Sequence, residues 1–223
     1  MEMLKVVPFK VQILAPFYYH GVLVQGQPEN GTGTHPGYLS DRALCFALAG
    51  TALGDTSIKR ILRGHESMKE DLQNLPWRTS LGVQLNGRCL PSVFRAINMS
   101  REGKYDSTIQ KNMSSGLFKG IFSTRDVCPD PNLFYYGLLV GHVDPFEVTK
   151  EEALIIRFGV GKTGVAKIYR DKEPDNKWYR LNCSTAELFE DSVDEYEFVL
   201  DNIRASRPMD QTIAKSHLEK WLK

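Results

Sequence analysis

No stretch of the 223 residues reaches the ~18 consecutive apolar residues that a membrane-spanning helix needs. The apolar N-terminal run MEMLKVVPFKVQILAPFYY is broken by Lys5, Pro8, Lys10, Gln12 and Pro16, and it lacks a small-residue cleavage site. It is therefore not expected to act as a signal peptide. Cysteine is scarce: Cys45, Cys89, Cys128 and Cys183 are widely separated and form no CxxC pair. That spacing argues against a zinc knuckle and against a disulfide framework, and it points to a reducing, cytoplasmic setting. HxxxH, HExxH and a clustered acidic loop are also missing, so no metal or other cofactor is expected. The five histidines are dispersed, with no cysteine or serine nucleophile paired to them. His20 and His35 remain candidates for the acid or base of a metal-independent endoribonuclease acting on a 2′-hydroxyl, an alternative to a non-catalytic role.

What the chain does have is an uneven distribution of charge around a net of +1. Between Arg88 and Arg125 seven cations (Arg88, Arg95, Arg101, Lys104, Lys111, Lys119 and Arg125) face only Glu102 and Asp106, a net of +5. Between Glu187 and Asp201 there are seven carboxylates and no Lys or Arg. Such blocks suit a polyanion on one face and a protein neighbour on another, or simply two solvated surfaces. A protein-only adaptor built on the acidic block is the third functional class.

The pattern of elements predicts an α+β chain forming one domain over 1–223. Val6 to Val24 reads as a strand pair or one long bent strand, with Pro8 and Pro16 at edge or bulge positions. QGQPENGTGTHP (25–36) is a loop. Ser40 caps a helix whose apolar face is Ala43, Leu44, Phe46, Ala47 and Leu48, ended by Gly50 or Gly54. Thr56 to Leu75 reads as a second helix stopped by Pro76. Strands follow at Leu81–Leu85, Leu117–Phe122, Leu133–Val140, Ala153–Phe158 and Val165–Tyr169, the third and fourth apolar enough to be central, with an edge at Trp178–Leu181. Val193–Ile203 and Gln211–Leu222 read as helices in a helical C-terminal region, 185–223.

Gly87 to Ser115 has little periodicity and reads as a long loop or an irregular hairpin, a protruding basic insertion over about 88–116. Phe94, Met99, Tyr105, Met113 and Phe118 lie among its cations. A basic arm with large apolar groups can neutralise phosphates and stack on bases. FGVGKTG (158–164) ends like a phosphate loop, but Ile156 stands where that motif needs its leading glycine, and VAKIYR after it is strand-like. A glycine hairpin turn is expected instead. Its backbone can approach a phosphate closely, helped by Arg157, Lys162 and Lys167.

PGYLSDRALCFALAG (36–50), behind a strand and a variable loop, and IIRFGVGKTGVAKIYR (155–170) together resemble the repeat-associated mysterious protein superfamily of CRISPR systems. Within it the chain is most similar to the small type I-D subunit that caps the five-prime handle of the guide RNA, and next to its type IV counterpart. The resemblance implies a ferredoxin-like, RRM-like core with an antiparallel sheet. It implies a non-catalytic subunit that contacts guide RNA, a backbone subunit and the large subunit, and meets target nucleic acid only indirectly. A thumb would fall within Arg88 to Lys119, and Tyr38, Arg42 and Lys162 would contact handle phosphates. Some relatives cleave precursor RNA with a Tyr-Lys-His arrangement, and this sequence has no Lys-His pair.

Overall fold

The computed structural model describes residues 4–18, 21–22, 35–54, 68–85, 89–98, 121–159, 163–173, 177–200 and 203–223. The fold is α+β, built on a seven-stranded antiparallel sheet. Its strands are β1 (Lys5–Ala15), β3 (Tyr38–Leu39), β4 (Trp77–Thr79), β5 (Gly82–Gln84), β8 (Phe134–Gly141), β9 (Ala153–Phe158) and β10 (Gly164–Arg170). They run in the order β3-β5-β8-β1-β10-β9, with β4 also paired to β8. A second sheet joins β2 (Gly21–Val22), β7 (Ile121–Val127) and β6 (Ser92–Asn98), and a two-stranded hairpin joins β11 (Glu195–Leu200) and β12 (Ile203–Ser206).

β1 is a central strand, paired antiparallel with β8 along one edge and with β10 along the other. Val7, Phe9, Val11 and Ile13 are buried on one side, in one cluster with Leu44, Leu48, Tyr135, Leu139, Ile156 and Ile168. Helix Asp41–Ala52 covers that side, capped by the Ser40 side chain, which accepts from Ala43 N, and closed at Gly54, whose φ is +79°. Gly137 lies opposite Phe9 because an added Cβ would stand 2.4 Å from the tip of that ring. On the other side of the sheet, Leu138 and Val140 are sealed by Tyr179, Leu181 and the C-terminal helix Gln211–Lys220 with Trp221. None of the helices among the described residues is long and apolar enough to cross a membrane.

Several expectations need correction. Pro8 is not at an edge: it sits mid-sheet, opposite Leu138. Its carbonyl accepts from Asp171 N just past the last β1–β10 pair, Phe9 with Arg170, so its missing N–H falls where that ladder stops. The expected bulge does occur beside Pro16, between Ile13 and Ala15. β9 is an outer strand rather than a central one, with Ile155 and Arg157 turned outward. The segment 193–203 is no helix, and the C-terminal region is interrupted by the β11–β12 hairpin. The first four residues of Glu-Tyr-Glu-Phe-Val-Leu alternate with period two, and its carboxylates are held by tertiary partners. Arg204 pairs with Glu187 and Glu195, and the Tyr38 hydroxyl donates to Glu197. Trp178–Leu181 forms only an isolated bridge, Tyr179 with Met209. Helical structure in the expected Thr56–Leu75 segment is found at Met68–Gln73, while 55–67 lie outside the described residues. Of the strand expected over Leu117–Phe122, residues 121–122 open β7, while 117–120 lie outside the described residues.

The basic segment is a hairpin at its base. β6 and β7 pair antiparallel from Ser92↔Val127 to Asn98↔Ile121. Its root is fixed in the core through buried Leu90 and Val127, and Phe17 exchanges two backbone hydrogen bonds with Val127 (3.1 and 2.8 Å). β9 and β10 close antiparallel at Phe158↔Gly164. The glycine segment therefore leads into a strand, not into the helix that a phosphate loop requires.

Candidate nucleic-acid interface

The second side of the main sheet divides in two. One half is covered by the C-terminal helix; the other carries partly exposed aromatic and cationic side chains. This half follows from alternation: the residues between the buried ones of β1, β8, β10 and β9 must point the other way. Lys10 stands opposite Tyr136 on β8 and Tyr169 on β10, and Gln12 stands opposite Phe134 and Lys167. Lys167 in turn faces Ile155, which is half exposed, and Val165 faces Arg157.

The rings and cations are interleaved. Lys10 Nζ lies 5.2 Å from the Phe134 ring centre and 6.0 Å from that of Tyr169. Lys167 Nζ is 5.1 Å from the Tyr169 ring, and Lys177 Nζ is 4.5 Å from that of Tyr136. Such distances are in cation–π range, so the ammonium groups help fix the rings without consuming their charge. The Tyr169 hydroxyl donates to Gln12 Oε1 (3.3 Å), and Gln12 Nε2 donates to the Pro131 carbonyl (3.2 Å). Lys177 is ion-paired with the buried Asp171. The result is a four-stranded surface bearing three rings, Lys10, Lys167 and Arg157.

The platform continues sideways into a cavity. Val83 on β5 faces Tyr136, and Tyr38 on β3 faces Val83. Beyond them a cavity of about 360 Å³ is lined by His35, Tyr38, Cys89, Trp178, Arg180 and Glu197, among others. Tyr38 is buried, and its hydroxyl donates to Glu197 Oε2 at 2.5 Å. Burial, reinforced by that bond, holds the phenol well above its usual range, so it remains a donor at any physiological pH. His35 Nδ1 accepts the Gly37 amide at 3.0 Å, which places the proton of a neutral ring on Nε2. The His35 ring leans on Tyr38 with centres 5.3 Å apart. Cys89 is exposed at the cavity rim.

Of the residues singled out in the sequence, Arg157 and Lys167 belong to the platform and Tyr38 to the cavity wall. Arg42 is elsewhere: its Nε donates to Thr185 Oγ1 (2.9 Å) and its terminal nitrogen to the Ser184 carbonyl (2.8 Å), tying the first helix to Cys183–Leu188. Arg95 is in β6, opposite Thr124. Arg88, Arg101, Lys104, Lys111, Lys119, Lys162 and His20 lie outside the described residues. Sequence reasoning missed Lys10, Phe134, Tyr136, Tyr169 and Trp178. The available signal was the polar or aromatic residue at alternate positions of strands read only for their apolar content.

No protein-family model matches the chain, and no curated protein matches it.

Proposed function

We propose that the protein is a non-catalytic RNA-binding subunit that receives single-stranded RNA across the open half of its main sheet. The observation that carries this reading is the interleaving of Phe134, Tyr136 and Tyr169 with Lys10, Lys167 and Arg157 on adjacent strands. Unpaired bases stack on aromatic faces, and the intervening cations neutralise the phosphates between them. The spatial order β5-β8-β1-β10, visited along the chain as β1, helix 41–52, β5, β8, helix 145–149 and β10, supports a ferredoxin-like, RRM-like core with β9 added outside it. The β6–β7 hairpin, rooted in the core, supports the reading of 88–116 as a thumb that lies along a guide. On this proposal the partners are a CRISPR guide RNA, a backbone subunit and the large subunit, in a cytoplasmic complex.

The test is fluorescence anisotropy with a labelled single-stranded RNA and the full chain. Tyr136→Ala and Tyr169→Ala are each expected to weaken binding by roughly 1–3 kcal/mol. The logarithm of the affinity should fall with the logarithm of salt concentration at about −0.7 per phosphate neutralised. The slope should become shallower in Lys10→Ala and Lys167→Ala. Affinity unchanged in all four variants would overturn the platform assignment. Purification with neighbouring subunits and a repeat array, followed by sequencing of bound RNA, tests the guide: a shared five-prime repeat-derived end is expected.

A further inference from the structure

The cavity beside Tyr136 holds groups that the stacking platform does not use. Its volume of about 360 Å³ is at the small end of ligand sites, the scale of one planar heterocycle. Trp178 lines it yet is 59% exposed, whereas Trp77 and Trp221 are fully buried. An indole is large and apolar enough that leaving its face in water wastes burial, so it is available for stacking. Arg180 is held in place: one guanidinium nitrogen donates to the Ser206 carbonyl (3.1 Å), and the group lies 5.0 Å from the Tyr196 ring centre. Glu197 Oε2 accepts from Tyr38 and is 4.0 Å from Arg180. Among the described residues no other group engages that carboxylate, so Oε1 is open to a donor from the cavity.

We infer that this cavity is a guanine site: the base stacks on Trp178, gives its N1 and N2 protons to Glu197, and takes a hydrogen bond on O6 from Arg180. The donor–donor–acceptor order of the guanine edge matches a carboxylate set beside a guanidinium. Adenine and cytosine each turn a ring-nitrogen acceptor toward the carboxylate, and uracil offers one donor flanked by two carbonyls, so each leaves a charged group unmatched. The inference rests on the RNA-binding reading only for the source of the base, which is either a nucleotide of a bound strand or a free guanine nucleotide.

The experiment titrates GMP, AMP, CMP and UMP into the full chain. Tryptophan fluorescence is the readout, since Trp178 is the exposed indole. GMP should quench saturably and bind at least about tenfold more tightly than the other three. Glu197→Gln, which keeps an acceptor for Tyr38, should erase the preference, and Trp178→Leu should weaken GMP binding measured by calorimetry. Circular dichroism of both variants guards against misfolding. Equal binding of the four nucleotides, or a preference that survives Glu197→Gln, would overturn the assignment. A second arm compares oligoadenylate with the same strand carrying one guanosine. A gain of about tenfold that disappears in Glu197→Gln places the base within bound RNA. GMP selectivity without that gain assigns the site to the free nucleotide. If GMP binds selectively while RNA affinity ignores Tyr136→Ala and Tyr169→Ala, the platform reading fails and the pocket stands.

Discussion

Asp41 sits in the first turn of its helix at 2% exposure, its carboxylate accepting from Asn182 Nδ2 at 2.8 Å. Burial pushes its pKa up, against the opposing pull of Arg42 and the bonds from Thr185 and Asn182. Burial also pushes Asp191 up. There, however, bonds from His217 (2.6 Å), Trp221 Nε1 (2.9 Å) and Lys220 (3.3 Å) win, and the group lies below the usual carboxylate range. The two residues therefore act on stability with opposite sign. A raised folded pKa gives stability that is present below about pH 4 and lost as pH rises through the folded value. A depressed one gives stability present above about pH 4 and lost as pH falls through the folded value. Urea denaturation across pH should separate them. Asp41→Asn should gain on the wild type as pH rises above about 4. Asp191→Asn should cost roughly 1–3 kcal/mol at pH 7, with the deficit shrinking below about pH 4. Slopes of the same sign would refute the assignment.

At the scale of elements, legibility tracked how local the determining forces are. The helix at 41–52 was readable because its Ser40 cap, its apolar face and Gly54 all lie within fifteen residues. β11 was not, because its carboxylates find their partners on other elements, Glu195 on Arg204 and Glu197 on Arg180 and Tyr38. The platform was invisible for the same reason. Lys10, Tyr136 and Tyr169 are far apart in the chain, and only strand register brings them opposite one another. The hairpin base, by contrast, can be tested as a module. Since Asn98 pairs with Ile121, residues 99–120 should be replaceable by a two-residue Asn-Gly turn. The melting temperature should hardly move, because the root at Leu90 and Val127 is untouched. RNA affinity should fall, and the salt slope should flatten with the loss of Arg101, Lys104, Lys111 and Lys119. An unaltered slope would remove the insertion from the interface.

For the whole molecule, the two sides of the main sheet do different work. One is closed by the first helix and supplies the larger core. The other is shared between the C-terminal helix, which seals Leu138 and Val140, and the aromatic platform, which begins two residues along the same strand at Tyr136. Seating the platform on a strand buried on its far side holds the rings at fixed spacing, which a loop would not do.

The thiols supply a means of watching the cavity at work. Cys45 and Cys183 are buried, and burial pushes each up to about 11, so neither offers much thiolate near neutral pH. Cys128 is partly covered, whereas Cys89 is exposed on the cavity rim. A maleimide added to the native chain should therefore modify Cys89 first, as peptide mapping would establish. A dye attached there would sit at the mouth of the cavity without any engineered residue, and its emission would report each ligand as it enters.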